Sequence, residues 1–304
     1  MAVAPQKSWT RWLPVMIPYG WLLFFFLVPF LIVAKISVSV TETAIPPYLP
    51  VFDPIVDGVS GIWEKTKQFT TENYLRLVES DLYWRAYLSS LWIALVSTLI
   101  TLLIGYPMAY AMARAPAHWR PLLLMLVILP FWTSFLIRVY AWIGILSTEG
   151  FLNNFLISIG VISEPLSILA TNTAVYIGIV YSYLPFMVLP LYAALEKMDD
   201  TLLEAASDLG CPPLQAFWKI TFPLSLPGVI AGCFLVFIPV VGEFVIPDLL
   251  GGSDTEMIGK VLWDEFFNTR DWPAASAVAI VLLLILVVPI ALYQNQQAKA
   301  TGAS

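Results

Sequence analysis

Residues 204–223 read EAASDLGCPPLQAFWKITFP and lie between two long apolar runs that hold almost no charge. The first half has helical spacing. Leu202, Leu203, Ala206 and Leu209 recur at the intervals of one helix face, and Gly210 stands where a C-terminal stop belongs. Pro212 and Pro213 cannot continue that helix, because each lacks the backbone N–H that the ladder needs. A proline in the first turn of a new helix is tolerated, so a second helix opens there. The stretch is a polar helix–turn–helix strung between two apolar segments.

Those segments cross a membrane. The chain has 304 residues, of which 59% are hydrophobic and 12% charged, with a mean hydropathy of +0.81. That excludes an ordinary soluble domain. A net charge of −6 and a pI near 4.8 argue against nucleic acid as a partner. Cys211 lies in the polar stretch and Cys233 inside the next apolar run, so a disulfide between them is not expected, and no metal-ligand spacing is present. The first apolar run, from about Leu13 to Ala34, exceeds the roughly 7–15 residues of a signal-peptide core. No small-residue cleavage pattern follows it at Lys35–Val40, so it reads as a retained anchor.

A span needs roughly 20 apolar residues. By that measure the chain divides into a tail at 1–12, span one at 13–34, a polar segment at 35–87, a five-span block at 88–293 and a tail at 294–304. Interfacial helices are expected near Trp63–Phe69 and Glu72–Trp84. Within the block the spans fall at about 88–112, 121–146, 172–195, 224–246 and 273–293, with the connection 196–223 among them. The class is therefore an all-α integral membrane protein with six transmembrane helices. Orientation follows from the short loops. The connection at 113–120 carries Arg114 and Arg120, and the loop at 147–171 has no Lys or Arg. This puts 113–120, residues 204–223 and both termini in the cytoplasm, where Lys7, Arg11 and Lys299 agree. The outer segments hold fifteen acidic and seven basic residues. Such a face concentrates cations, although an acidic protein carries acidic soluble faces in any case.

The spacing Glu-Ala-Ala, three residues, Gly, nine residues, Ile, one residue, apolar, Pro resembles the signature loop of ABC-importer permease subunits. Glu204, Ala205, Ala206, Gly210, Ile220 and Pro223 match it, and Phe222 stands where the family usually has Leu. The resemblance implies the type I, binding-protein-dependent importer architecture. It also implies that this loop docks into a groove on a cytoplasmic ATPase, with Leu209 and Phe217 as expected knobs. Partners implied are a dimer of that ATPase, a second and different permease subunit, and a periplasmic binding protein, in a bacterial inner membrane. The chain shows no phosphate-binding loop. Gly259-Lys260 lacks the glycine five residues earlier and is followed by Val261. It is therefore not an enzyme and binds no cofactor or metal itself; ATP and Mg belong to the partner ATPase.

Four further blocks narrow the resemblance. They are Pro130–Tyr140, Ala174–Met187, Val241–Gly252 and Arg270–Pro273. Together they resemble the permeases of bacterial polyamine importers, closest to the putrescine branch. Putrescine is the expected cargo and spermidine the next. Alternatives are another small cationic or organic solute, or a proton-coupled carrier. Such a carrier would not need the loop and usually shows repeated halves.

Two charges interrupt the apolar runs: Arg138 in the third span and Glu243 in the fifth. Counted from the inner ends they lie about 25 Å and about 28 Å deep at 1.5 Å per residue. Intramembrane charges face protein or water and are functional candidates. One reading is an ion pair bracing two helices; the other is that Glu243 meets a cationic substrate. The expectation is the pair, with Glu243 beside the translocation route. Trp132, Tyr181 and Tyr183, near prolines, and Asp248 join them as path candidates, the aromatics as cation–π faces or as plain packing.

Overall fold

A computed structural model of the chain describes residues 9–53 and 57–300. Most of the expected tail at 1–12, with Lys7, lies outside the described residues, as do 301–304; the side chains of Arg11 and Lys299 lie outside them too.

The described chain is helical almost throughout. Helix α1 (Trp9–Leu22) passes through a π-helical stretch, Leu23–Leu27, into α2 (Val28–Ser37). A two-residue antiparallel ladder of β1 (Val40–Thr41) and β2 (Tyr48–Leu49) follows, with Val40 opposite Leu49. Next come α3 (Gly58–Thr66), α4 (Glu72–Glu79), α5 (Asp81–Arg114), α6 (Arg120–Ile128), α7 (Phe135–Leu146) and α8 (Phe151–Ser158). Then follow α9 (Asn172–Glu196), α10 (Thr201–Asp208), α11 (Pro213–Ala216), α12 (Phe222–Val241), α13 (Val245–Leu250), α14 (Ile258–Trp263) and α15 (Trp272–Ala300). Five helical runs are long and apolar enough to cross a membrane: Pro14–Ser37, Asp81–Arg114, Phe135–Ser158, Asn172–Glu196 and Pro213–Val241. Two shorter apolar helices, Arg120–Trp132 and Trp272–Val287, supply the rest.

Two of the expected spans are not continuous. The span expected at 121–146 breaks at Thr133. Pro130 has no N–H for the ladder, the chain tightens to a 3₁₀ turn at Leu129–Trp132, and Thr133 leaves it extended at φ −99°, ψ 152°. The Thr133 hydroxyl then donates to the Pro130 carbonyl at 2.9 Å. The span expected at 224–246 ends at Val241, and Gly242 and Phe244 turn the chain into the separate helix α13. The loop expected at 147–171 contains helix α8, which Asn153 pins. Its amide donates to the carbonyls of Ser147, Thr148 and Leu166, and its oxygen accepts from the Leu166 N–H at 2.8 Å.

The chain forms two compact units. One joins residues up to Asp81 with those from Leu262 on. In it α2 packs on α15. Asn73 ties α4 to the end of α2 by donating to the carbonyls of Ser37 and Ser39, at 2.9 and 2.8 Å. Arg76 pairs with Asp271 at 2.7 Å, and Asp271 also accepts from the Ala274 N–H at the start of α15. Lys35 lies over the rings of Tyr48 and Phe52 and donates to the Pro50 carbonyl.

The other unit runs from Leu82 to Val261. Its core is the crossing of α9 and α12. A Cβ at Gly228 would meet the Ala194 Cβ at 2.6 Å and the Pro190 carbonyl at 2.8 Å. One at Gly232 would meet the Met187 sulfur at 2.7 Å. Glycines four apart thus let the two backbones touch, the small-residue rule of membrane helix packing. Fully buried Met187 also meets Gly105 of α5, so one flexible side chain fills the space between three helices.

Candidate functional site

Two features of the Leu82–Val261 unit hold the predicted site residues. The first is the connection between α9 and α12. Helix α10 carries Glu204, Ala205 and Ala206 and ends in a paired cap. The Gly210 N–H donates to the Ser207 carbonyl at 2.8 Å and the Cys211 N–H to the Ala206 carbonyl at 2.9 Å. Gly210 has φ +72°, the left-handed conformation that such an ending needs and that a side chain resists. Pro212 is extended at ψ 149°, Pro213 opens α11, and a π-helical stretch, Phe217–Thr221, leads into α12. Pro223 lacks the N–H that would bond back four residues to Lys219, so the ladder loosens there.

The base of this connection is tied down and its tip is bare. Arg114 at the end of α5 pairs with Asp200, and Arg120 pairs with Glu196 at 3.5 Å. The Asp199 carboxylate accepts from the Thr201 N–H at 3.0 Å. That bond, with a second from the Thr201 side chain, holds its carboxyl below the usual carboxylate range. Glu204 and Ala205 are exposed and Ala206 is buried. Beyond them Leu209 is 88% exposed, Leu214 71% and Trp218 58%. These are large apolar side chains on a short polar element, a pattern that marks a binding surface.

Phe217 does not belong to that surface. The expectation that it projects as a knob is corrected by its packing. It is half-buried, edge-on to Tyr106 with ring centroids 5.5 Å apart, and it also meets Tyr110 and Phe222. The Tyr106 hydroxyl is in turn 2.9 Å from Ser225. Phe217 therefore anchors the connection, with Trp218 packed edge-on against it at 5.1 Å, and Leu209 and Leu214 are left outward. Ile220 is half-buried and Pro223 exposed.

The second feature is the break after α12. Glu243 is buried, and its carboxylate is fully engaged. One oxygen accepts from the Tyr183 hydroxyl at 2.6 Å. The other accepts from the N–H groups of Val245 and Ile246, at 3.0 and 3.4 Å, and so caps α13. Arg138 has no ion pair with it, which corrects the expected bracing pair. The guanidinium lies 5.2 Å from the Phe131 ring centre and 5.7 Å from that of Phe135. Its Nε and Nη1 are buried without a hydrogen-bond partner. The helix breaks explain the miss, because Arg138 lies in the first turn of α7 just after one break and Glu243 lies within the other. The two are nevertheless linked through rings. Phe131 meets Phe186 edge-on at 5.2 Å, and Phe186 meets Tyr183 at 6.0 Å.

The other path candidates disperse. Tyr181 packs edge-on against Trp142 at 5.4 Å, Trp132 is 73% exposed, and Asp248 pairs with Lys260 at 3.6 Å. Sequence reasoning missed the Gly228–Gly232 crossing, whose signal was the four-residue spacing, and Phe186, which no spacing marks.

Residues 88–300 match the family model described as binding-protein-dependent transport system inner membrane component. The chain belongs to that family. The permease is 49% identical over 225 residues to the spermidine/putrescine transport system permease protein PotB of Escherichia coli K12, covering 74% of this chain and 82% of that one. It is 43% identical over 279 residues to PotB of Haemophilus influenzae, covering 92% and 91%. Among solved structures the fold is similar to a chain of a bacterial alginate ABC transporter in complex with its alginate-bound periplasmic protein. There the TM-score is 0.70 at 17% identity, over 97% of this chain and 95% of that one. The permease is thus an all-α inner-membrane transport component of the ABC-importer type, and not an enzyme.

Proposed function

We propose that this permease carries polyamines across the inner membrane by alternating access, driven by a separate ATPase that docks on the α10–α11 connection. The observation that carries the ATP-coupled part is the exposure of Leu209 and Leu214 on an element braced at its base by Arg114–Asp200 and Arg120–Glu196. A rigid base with an apolar tip transmits a push from a partner into α9 and α12. A dimer of the ATPase binds ATP and Mg, a second permease completes the path, and a periplasmic binding protein delivers the cargo. Both termini and the connection face the cytoplasm in this reading, as the Arg114 and Arg120 loop requires.

Polyamine as the cargo class is supported by the names of the PotB relatives and by the acidic segments outside the spans. Putrescine and spermidine are both proposed as cargo, with putrescine preferred. The test is competition between labelled putrescine and unlabelled spermidine, ornithine and molybdate in vesicles holding the complete transporter with ATP inside. The reading expects uptake that needs both the binding protein and ATP and that only polyamines compete. Uptake that persists without ATP and collapses with the proton gradient would overturn it.

A further inference from the structure

We propose that the hairpin tip at Ile45 and the exposed face of α4 form one docking surface for the periplasmic binding protein. Ile45 enters an apolar pocket on that partner, and the acids of α4 receive its lysine or arginine side chains. The inference rests on the reading that such a protein delivers the cargo and that the polar segment after α2 faces outward.

Ile45 is 99% exposed, at the tip of the β1–β2 hairpin. A large apolar side chain gains nothing from water, and a partner that covers it gains the whole of its burial. The tip is held in place. The Glu42 N–H donates to the Pro47 carbonyl at 3.3 Å, and Tyr48 of β2 meets the Trp272 ring at 6.2 Å. The Thr41 hydroxyl of β1 donates to the Asp271 carboxylate at 2.7 Å. A knob fixed in advance loses little conformational freedom when a partner closes on it.

Asp271 joins this hairpin to α4, because it also pairs with Arg76 at 2.7 Å. Helix α4 turns Asn73 and Leu77 inward and leaves Leu75 and Val78 exposed. Glu72, Leu75, Arg76, Glu79 and Ser80 line an open cleft of about 410 Å³. The charge of Arg76 is answered by Asp271 and by Glu265 at 3.5 Å, so Glu72 and Glu79 leave the cleft acidic. An apolar floor between two carboxylates matches the aliphatic stem and cationic head of a lysine or arginine. Acids beside exposed apolar side chains therefore call for a protein surface that presents a basic residue next to an apolar pocket. A bilayer surface fits poorly. Helices that lie on membranes carry lysine and arginine along the polar face, where α4 has Glu72 and Glu79. A free polyamine would meet the acids and leave Ile45 uncovered.

The test measures how tightly the putrescine-loaded periplasmic binding protein of the same organism binds the complete transporter in nanodiscs, without ATP. Ile45→Asp and the pair Glu72→Lys with Glu79→Lys are compared with the unchanged transporter. All three side chains are exposed, so the membrane level and melting temperature should hold. The expected result is about a tenfold or greater weakening in each variant. Added salt should weaken the unchanged complex more than the E72K/E79K complex, because only the former keeps the attraction that salt screens. Unchanged affinity in either variant overturns the single surface. Retained affinity in I45D with a lower melting temperature in nanodiscs also overturns it and assigns the tip to the bilayer. Putrescine bound by the transporter alone, and lost in E72K/E79K while the protein still binds, overturns it and assigns the acids to the cargo. If the unchanged transporter forms no complex at all, the delivery reading itself fails; a complex indifferent to the variants refutes only the docking surface.

Discussion

The connection between α9 and α12 and the break after α12 are both interruptions of membrane helix, and they are built in opposite ways. The turn of the connection is ordered by its own neighbours in sequence, and its base is held by Arg114 of α5, Arg120 of α6 and the packing of Phe217 on Tyr106. Gly210 closes α10, Pro213 opens α11, and ion pairs hold the base. It spends nothing on burying Leu209 or Leu214. The break is ordered by distant parts of the chain. Glu243 is held by Tyr183, sixty positions away, and Gly259 sits where any Cβ would collide with the Gly242 and Glu243 carbonyls. One interruption leaves large apolar side chains bare, as the proposed docking needs; the other satisfies its carboxylate within the chain.

This contrast can be broken or sharpened by substitution, and the largest effect should come from the buried scaffold both features share. Gly228→Leu forces a side chain into Ala194 and the Pro190 carbonyl, and should cost about 3 kcal/mol. The expected outcome is loss of accumulated permease in membranes, read by quantitative immunoblot. Next is Tyr183→Phe, which leaves one Glu243 oxygen without its donor. About 1–2 kcal/mol is expected, seen as a lower melting temperature of the purified transporter, with the chain still inserted. At the connection, Gly210→Ala should cost about 1 kcal/mol, because alanine resists φ +72°. It should reduce ATP-driven uptake more than it reduces melting temperature. The smallest effect belongs to Arg120→Ala, whose partly exposed pair with Glu196 is worth roughly 0.5 kcal/mol. If Arg120→Ala proved as damaging as Tyr183→Phe, the distinction between a half-exposed brace and a buried anchor would fail.

The same contrast explains how much the sequence disclosed. The connection was legible residue by residue, because Leu spacing, Gly210 and the two prolines act on their immediate neighbours. The spans were legible from hydropathy, but their breaks at Thr133 and Gly242 were not. Prolines inside spans are common here, and Pro107, Pro185 and Pro190 sit within unbroken helices. What decides between a tolerated proline and a break is the tertiary surround, such as the Tyr183 hydroxyl that holds Glu243 at the end of α12. The expected Arg138–Glu243 pair failed for that reason. Depth counted along continuous helices placed the two charges together, whereas helix ends and aromatic rings set their actual partners. Phe217 failed for a related one. Spacing puts it on the connection, but only packing shows that it faces Tyr106.

In the proposed function the bare tip of the connection couples ATP hydrolysis on a partner to transport. The direct measurement is ATP-driven polyamine uptake by reconstituted transporter carrying Leu209→Asp together with Leu214→Asp. Both side chains are exposed, so the chain should insert normally and retain its second permease. Uptake should fall to background because the ATPase no longer grips. Uptake at the unchanged rate, with the ATPase still bound, would contradict the claim.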